Sequence, residues 1–181
     1  MKSEIFRMET KLNAPAATVY AWHEDPSALE QLSPESAGVE VVKPAALNVG
    51  EVALLRVPLV PNIFTVSWQA AIVYVKPGLE FQDRQLKGPF QYWHHRHKFV
   101  PTGSGCIMRD EVEFILPGGP AIHHLGKHFV QAQLREMFTY RHNQLLKRFG
   151  NPPTVNTRNH KTPSIAKVHP GNPILRYADG I

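Results

Sequence analysis

The stretch YWHHRHKF, residues 92–99, decides how the chain folds, because it assigns different chemistry to the two faces of one strand. Side chains on a β-strand point alternately to opposite faces of the sheet. The even positions are polar and suit solvent. The odd positions set two imidazoles between two large aromatic rings: Trp93, His95, His97 and Phe99. We predict that this odd-numbered face is buried and that the function depends on it.

Strand-like segments precede and follow this stretch. Residues 4–12 alternate between apolar and polar side chains, which predicts a half-buried antiparallel strand. Turn sequences such as NVG, VPN and KPG separate the later segments. The predicted strands after the first are 39–42, 51–59, 64–75, 79–85, 90–101 and 106–116.

Three helical segments complete the pattern. Two short helices follow the first strand, with Asn13 and Asp25 as predicted N-caps. One long helix spans 121–149 and ends at Gly150, a residue type favoured at helix C-termini. Its periodicity predicts an inward stripe, with His142 on the opposite side. The inward residues are Phe129, Val130, Leu134, Met137, Phe138, Arg141 and Leu145.

This order of elements predicts an α+β fold of the helix-grip type. A curled antiparallel sheet of about seven strands surrounds the long C-terminal helix, and the two short helices close one end, which leaves an interior cavity. We expect one domain over residues 1–149. Residues 150–181 hold five prolines and predict a proline-rich arm anchored by Ile174, Leu175 and Tyr177.

Composition excludes several classes of function. The chain has 181 residues and a formal net charge of +5, but no Lys/Arg cluster or aromatic nucleic-acid motif, so we expect no nucleic-acid partner. No apolar run is long enough for a membrane span, and the N-terminus lacks the apolar core of a signal peptide. The single cysteine, Cys106, excludes an internal disulfide and fits a cytoplasmic protein.

Three segments together carry a family resemblance: DRQLKGPFQYWHHRHKF (83–99), DEVEFILPGG (110–119) and FTYRH (138–142). Over residues 3–149 the chain resembles the START-like, birch-pollen-allergen-like superfamily, also called SRPBCC or helix-grip. Within it, the chain resembles a bacterial branch termed cell-division-inhibitor-like. The resemblance implies a cavity for apolar small molecules, since only a minority of members are cyclases or hydrolases. Relatives joined to epimerase-like domains imply that a protein partner is an alternative role.

Strand register predicts a polar cluster inside the sheet. If TGSG joins the last two strands, His97 lies opposite Asp110, and cross-strand side chains are about 5 Å apart. A buried carboxylate needs a partner, and so does Arg141 on the inward stripe of the helix. We therefore predict that Arg141 pairs with Asp110 or Asp83, with His97 in the same network. Such a cluster serves as a structural core, as a ligand-recognition set, or in catalysis or metal binding.

Metal and catalytic roles for this cluster have weaker support. His95, His97 and Asp110 match a two-histidine, one-carboxylate set for Fe(II) or Zn(II), but Arg141 would repel a cation. We therefore expect no metal and no cofactor. His124 and His128 lack the glutamate of a zinc protease motif and should be exposed.

We predict a protein that binds an apolar or amphipathic small molecule and has no intrinsic catalysis. One alternative is an enzyme that uses His97 and Asp110 for proton transfer, with or without a metal. The other is an interaction module for an epimerase-like or cell-division-related partner. The candidate cavity residues are Trp68, Phe81, Trp93, His95, His97, Phe99, Asp110, Phe138 and Arg141.

Overall fold

The computed structural model describes residues 2–60 and 64–150, and these contain one seven-stranded antiparallel sheet. The strands are β1 (Glu4–Leu12), β2 (Glu40–Lys43), β3 (Val52–Val60), β4 (Phe64–Lys76), β5 (Glu80–Lys87), β6 (Tyr92–Thr102) and β7 (Gly105–Ile115). Their order in the sheet is β1-β7-β6-β5-β4-β3-β2. Strands β2 to β7 therefore form a meander, and its last strand, β7, also pairs with β1, the first strand of the chain.

Three α-helices accompany the sheet in the described part of the chain: α1 (Ala16–His23), α2 (Ala28–Gln31) and α3 (Gly119–Phe149). The long helix α3 crosses the inner face of the sheet, where its Phe138 ring lies 5.3 Å from the Phe6 ring of β1. A sheet of this size twists and curls, so one helix covers its concave face. The predicted α+β helix-grip fold is confirmed.

The β6–β7 hairpin has the register that the turn TGSG predicts. His97 is paired with Asp110 across the two strands, and Phe99 is paired with Met108. The hairpin also lies against the end of β1, because a Cβ at Gly105 would collide with the carbonyl oxygen of Leu12. This close approach fixes β7 between β1 and β6 and brings the inward side chains of all three strands together.

The interior contains two apolar clusters. The first lies near α1 and includes Leu12, Val19, Tyr20, Phe81, Phe99, Met108 and Leu145. The second lies towards the other end of the β6–β7 hairpin and consists of Phe6, Trp93, Val112, Phe114, Leu134 and Phe138. The polar side chains of β6 and β7 lie between the two clusters, because Asp110 separates Met108 from Val112 along β7.

Two predicted helix caps are wrong. Asn13 does not cap α1: its backbone N–H donates to the Phe149 carbonyl at 2.8 Å, and its side-chain amide donates to the Gly150 carbonyl. It joins the end of β1 to the end of α3, a role that only tertiary contact assigns. Asp25 accepts bonds from the Ser27 N–H and hydroxyl at 2.8 and 2.7 Å, ahead of a helix that begins at Ala28.

The predicted phase of α3 is correct for Leu134, Phe138 and Leu145, which are buried, and wrong for two other residues. His142 is only 3% exposed, whereas Phe129 is 69% exposed. Phe129 precedes Phe138 by nine residues, which is about two and a half turns at 3.6 residues per turn, so it lies on the opposite side of the helix, in solvent. His142 follows Phe138 by four residues and lies on the buried side, where Asp110 is its polar partner.

One further prediction concerns residues that the structure does not describe. Residues 151–181, which hold almost all of the predicted arm and its anchors, lie outside the described residues, so the division into domain and arm stays a prediction. Within the described residues, no helix is both long and apolar enough to cross a membrane.

Candidate functional site

A cavity of about 190 Å³ lies between the sheet and helices α2 and α3. Its walls are mainly apolar and come from α2, from β3 and β4, from β6 and from α3: Leu29, Leu32, Ala53, Leu55, Trp68, Ala70, Ile72, Trp93 and Met137. The exposed lining residues Asp25, Pro26 and Pro44 lie at one side, between α2 and the end of β2.

Polar side chains are concentrated in one part of the cavity wall, which we call the polar floor: His23, Asp83, His95, His97 and Arg141. Strand pairing explains three of them, because Asp83 of β5 is opposite His95 of β6, and His97 lies two residues further along the same face. Arg141 reaches the floor from α3, and His23 is the last residue of α1.

Asp110 lies behind the floor, and three imidazoles contact its carboxylate. His142 contacts its Oδ2 through Nε2 at 2.8 Å, and His95 contacts its Oδ1 through Nε2 at 3.1 Å. The Nδ1 of His97 is 2.8 Å from the same Oδ1 but does not point along a hydrogen bond, and it has no hydrogen-bond partner among the described residues. The other nitrogen of His142 bonds the Thr10 hydroxyl at 2.7 Å.

Asp83 faces the opposite edges of two of these rings. Its Oδ2 is 3.5 Å from Nδ1 of His95 and 3.5 Å from Nε2 of His97. Each of the two imidazoles therefore has a carboxylate at both nitrogens, Asp110 on one side and Asp83 on the other. The two rings are packed together, with centroids 3.8 Å apart.

The electrostatics of the floor favour ionised carboxylates. Burial acts to raise the pKa of Asp110, but the charge of His97 and the bonds from His142 and His95 outweigh it, so this pKa lies well below its usual value. Burial opposes ionisation of Asp83 in the same way, and His95 and His97 lower its pKa. For His95, burial acts to lower the pKa, but the two carboxylates prevail and raise it.

His23 has the opposite character. Its Nδ1 is 2.8 Å from the Val19 carbonyl, so this nitrogen donates and Nε2 carries the lone pair. Burial lowers the pKa of His23 to about 4, and the nearby charge of His97 acts in the same direction. The imidazole is therefore neutral at neutral pH.

Arg141 does not form the predicted ion pair. Its Nε donates to the Leu32 carbonyl at 3.2 Å, and its guanidinium carbon lies 5.0 Å from the centre of the Phe138 ring. Within the described residues, its guanidinium makes no ion pair with Asp83 or Asp110. His142, four residues from Phe138 on the same helix face, occupies the position at Asp110 that we had predicted for Arg141.

The nine candidate residues separate into two groups. Six of them line the cavity: Trp68, Phe81, Trp93, His95, His97 and Arg141. The other three, Phe99, Asp110 and Phe138, are buried behind the cavity wall and do not line it, because neighbouring rings cover them.

Sequence reasoning did not include His23 and His142 among the candidates. The signal for His142 was its i+4 spacing from Phe138 on a buried helix face. Cys106 is fully buried and burial raises the pKa of its thiol, so it behaves as a small apolar side chain rather than as a nucleophile. His124 and His128 are exposed, as expected.

Residues 12–140 match the family model described as polyketide cyclase / dehydrase and lipid transport. No curated protein matches the chain by sequence. Several solved structures share the fold. One is the Zhui aromatase/cyclase of Streptomyces sp. R1128, with a TM-score of 0.62 and 12% identity, over 81% of this chain and 93% of that one.

Two further solved structures extend this similarity. Norcoclaurine synthase of Thalictrum flavum, in complex with dopamine and hydroxybenzaldehyde, has a TM-score of 0.58 and 17% identity, over 80% of this chain and 87% of that one. A START superfamily protein of Mycobacterium smegmatis has a TM-score of 0.55 and 15% identity, over 81% of this chain and 97% of that one. At these identities the likeness is one of fold.

Proposed function

We propose that this chain, which belongs to the polyketide cyclase / dehydrase and lipid transport family, binds an apolar small molecule with one polar end in its interior cavity. The observation that carries the proposal is the separation of chemistry along the cavity wall. Leucine, alanine, isoleucine and tryptophan side chains line most of it, and the ionisable groups are confined to the polar floor, apart from the exposed Asp25. This is the composition of ligand pockets, where few polar groups set orientation.

The polar floor supports a ligand whose polar end carries oxygen. Arg141 offers a guanidinium that is not paired with a carboxylate in the described chain, and guanidinium groups bind carboxylates and phosphates well. The apolar walls contribute affinity through the area they remove from water, about 25 cal/mol per Å². We propose binding without chemistry on the ligand, and a cytoplasmic protein, in keeping with one buried cysteine.

Native mass spectrometry of the full chain purified from cells tests the proposal most directly. We expect an added mass that organic extraction removes. A second measurement uses N-phenylnaphthylamine, an uncharged apolar fluorophore, whose emission should rise on binding. If the protein carries no extractable ligand and the fluorophore does not bind, the proposal fails.

A cavity-filling variant with a matched control shows where the fluorophore binds. Ala70 lines the cavity on β4, so Ala70→Leu places extra carbon inside it. Val73 lies on the same strand with its side chain exposed, so Val73→Leu enlarges a β4 side chain in solvent, by one carbon where Ala70→Leu adds three. We expect at least about tenfold weaker binding in the first variant, which corresponds to about 1.4 kcal/mol. Binding in the second should be unchanged.

Proton-transfer catalysis is the second candidate, favoured by the 2.8 Å contact between Nδ1 of His97 and Asp110. A carboxylate that accepts a hydrogen bond from an imidazole orients it as a general base, and a turn of the His97 ring would convert this close contact into such a bond. If the protein catalyses exchange of an acidic C–H proton of a bound phenolic ketone, and His97→Gln abolishes that exchange, catalysis replaces simple binding.

The cell-division-inhibitor-like branch and a protein partner remain proposals of the same kind. They rest on the segments 83–99, 110–119 and 138–142 and on the relatives that those segments resemble. Affinity capture compares the full chain with its Ala70→Leu variant. A partner that needs a ligand in the cavity is captured by the wild type only, and a partner that does not need one is captured by both.

A further inference from the structure

We infer that Asp83, His95 and His97 form a binding site for a divalent transition-metal ion, on the wall of the cavity. One potential ligand atom from each residue lies within 4.8 Å of the other two. The Asp83 oxygen is 3.5 Å from each of the two imidazole nitrogens. Ligand atoms around a tetrahedral ion with bonds of about 2.0–2.1 Å are about 3.4 Å apart. The two oxygen–nitrogen distances of 3.5 Å are therefore close to those of an occupied site.

The second observation is what lies behind the two imidazoles. The nitrogens that face away from Asp83 are 3.1 and 2.8 Å from Oδ1 of Asp110, which is 2% exposed. Metal-binding histidines characteristically direct their other ring nitrogen at a carboxylate, which fixes the tautomer and the ring orientation. His142 in turn holds the second oxygen of Asp110 at 2.8 Å. The supporting hydrogen bond of a metal site is therefore in place for His95, and for His97 the same carboxylate lies close to Nδ1 without a hydrogen bond.

The third observation concerns lone pairs. A neutral imidazole carries one N–H, and the other nitrogen is a lone-pair acceptor. With Nε2 of His95 donating to Asp110, a metal ion replaces any proton on Nδ1, and the Nδ1 lone pair then points towards the Asp83 oxygen side of the site. The Nε2 of His97 faces the same oxygen. A cation among the three atoms accepts all of these lone pairs at once, and Asp83 and Asp110 balance its double charge.

Arg141 is the charge that opposes a cation here, and its contacts reduce the objection. The Leu32 carbonyl and the Phe138 ring hold the guanidinium, and in the described residues it forms no ion pair with either aspartate. Two nitrogen ligands and one oxygen ligand on one side of an ion suit Fe(II), Zn(II) and Co(II) and leave coordination positions open. Since all three ligand residues line the cavity, an oxygen atom of a bound ligand could fill an open position.

The test is a titration of the untagged, full-length protein with Co²⁺ after treatment with a chelator, followed by visible absorption and elemental analysis. We expect one Co²⁺ per chain, displaced by Zn²⁺. Asp83→Asn and His97→Gln each remove one ligand and should weaken binding at least about 100-fold, since even losing a supporting residue weakens metal sites 10–100-fold.

His94→Gln is the matched control. His94 neighbours His95 on β6 but points to the other face, where its Nε2 is 2.8 Å from the Gln82 side-chain oxygen. This variant should bind Co²⁺ as the wild type does. The inference is overturned if the wild type takes up no stoichiometric Co²⁺, in which case the cluster is an ion-pair network, or if Asp83→Asn and His97→Gln retain the ion, which then binds elsewhere. It is overturned equally if His94→Gln loses the ion.

This inference goes beyond the proposed function, and the two can fail separately. Binding of N-phenylnaphthylamine to the metal-free wild type tests the apolar cavity without any metal, so it can fail while Co²⁺ still binds, and the reverse. Far-UV circular dichroism of Asp83→Asn and His97→Gln shows whether both variants are folded. Loss of Co²⁺ binding in these folded variants, with Co²⁺ binding retained in His94→Gln, assigns the effect to the three ligand residues.

Discussion

The apolar clusters and the polar layer between them fill the same interior, but their stability depends to different degrees on the exact placement of side-chain atoms. The two clusters contain large side chains that contact several neighbours without directional requirements. The polar layer consists of Thr10, His95, His97, Asp110 and His142. Each of its members is held at a particular atom of another. A buried carboxylate without partners is costly, so the layer tolerates change less well than an apolar cluster of similar burial.

The largest effect should follow from Asp110→Asn, which changes charge and almost no volume. The imidazoles of His95, His97 and His142 would lose their shared carboxylate in a site that excludes water. We expect the free energy of unfolding of the metal-free protein at pH 7 to fall by about 3–5 kcal/mol, measured by urea denaturation. A fall below about 1 kcal/mol would show that the polar layer is no more demanding than a surface pair.

Leu145→Ala makes the matching change in the apolar cluster near α1. Leu145 is 1% exposed, and the cavity left by its removal should cost about 2–5 kcal/mol. Because no ionisable group changes, this loss should be the same at pH 5 and pH 7, whereas the effect of Asp110→Asn should depend on pH. If both losses vary with pH in the same way, the two regions do not differ as we describe.

His23 should make stability depend on pH in a window of its own. Its pKa is about 4 in the folded protein, against about 6.5 in an unfolded chain. Between these values the unfolded state binds the extra proton, so stability falls as pH drops from 6.5 towards 4, by up to about 3 kcal/mol. The titratable and charged groups that face His23 are His97 of β6, Asp110 of β7 and Arg141 of α3.

His23→Asn isolates this contribution. The difference in unfolding free energy between wild type and variant should shift in favour of the variant as pH falls through this window. Asp83 and Asp110 have lowered pKa values, so their stabilisation is lost only below about pH 4. His95, with a raised pKa, stabilises at low pH and loses this effect as pH rises, but it is common to both proteins. A constant difference from pH 4 to 7 would contradict the assignment.

The smallest effect should come from Thr10→Val, which removes a hydroxyl from the polar layer and keeps the shape of the side chain. The bond of 2.7 Å to Nδ1 of His142 is lost, and an intramolecular hydrogen bond contributes about 0.5–1.5 kcal/mol. Thr65→Val on an exposed part of β4 is the control and should change stability by less than about 0.5 kcal/mol. Equal effects at the two positions would place Thr10 outside the layer.

Alternation and turn signals predicted most of the sheet because both are local. The first strand was predicted over residues 4–12 and is observed as Glu4–Leu12. The TGSG turn fixed the pairing of His97 with Asp110, since the register of a short hairpin depends only on its loop. The cap predicted for Asn13 failed because its amide bonds the end of α3, 137 residues away in the chain.

The sequence by itself determined the helix-grip fold, the inward direction of His95 and His97 and the burial of Asp110, because strand periodicity and hairpin register need only neighbouring residues. Only the tertiary structure decided that His142 rather than Arg141 contacts Asp110, and that Asp83 faces the far edges of the two imidazoles. Residues 141 and 142 both lie within about one turn of the buried Phe138, so the packed position of α3 against the sheet decides which of them reaches Asp110. The position of Asp83 relative to the two imidazoles depends on side-chain torsions in β5 and β6, and these torsions are fixed only when the two strands are paired.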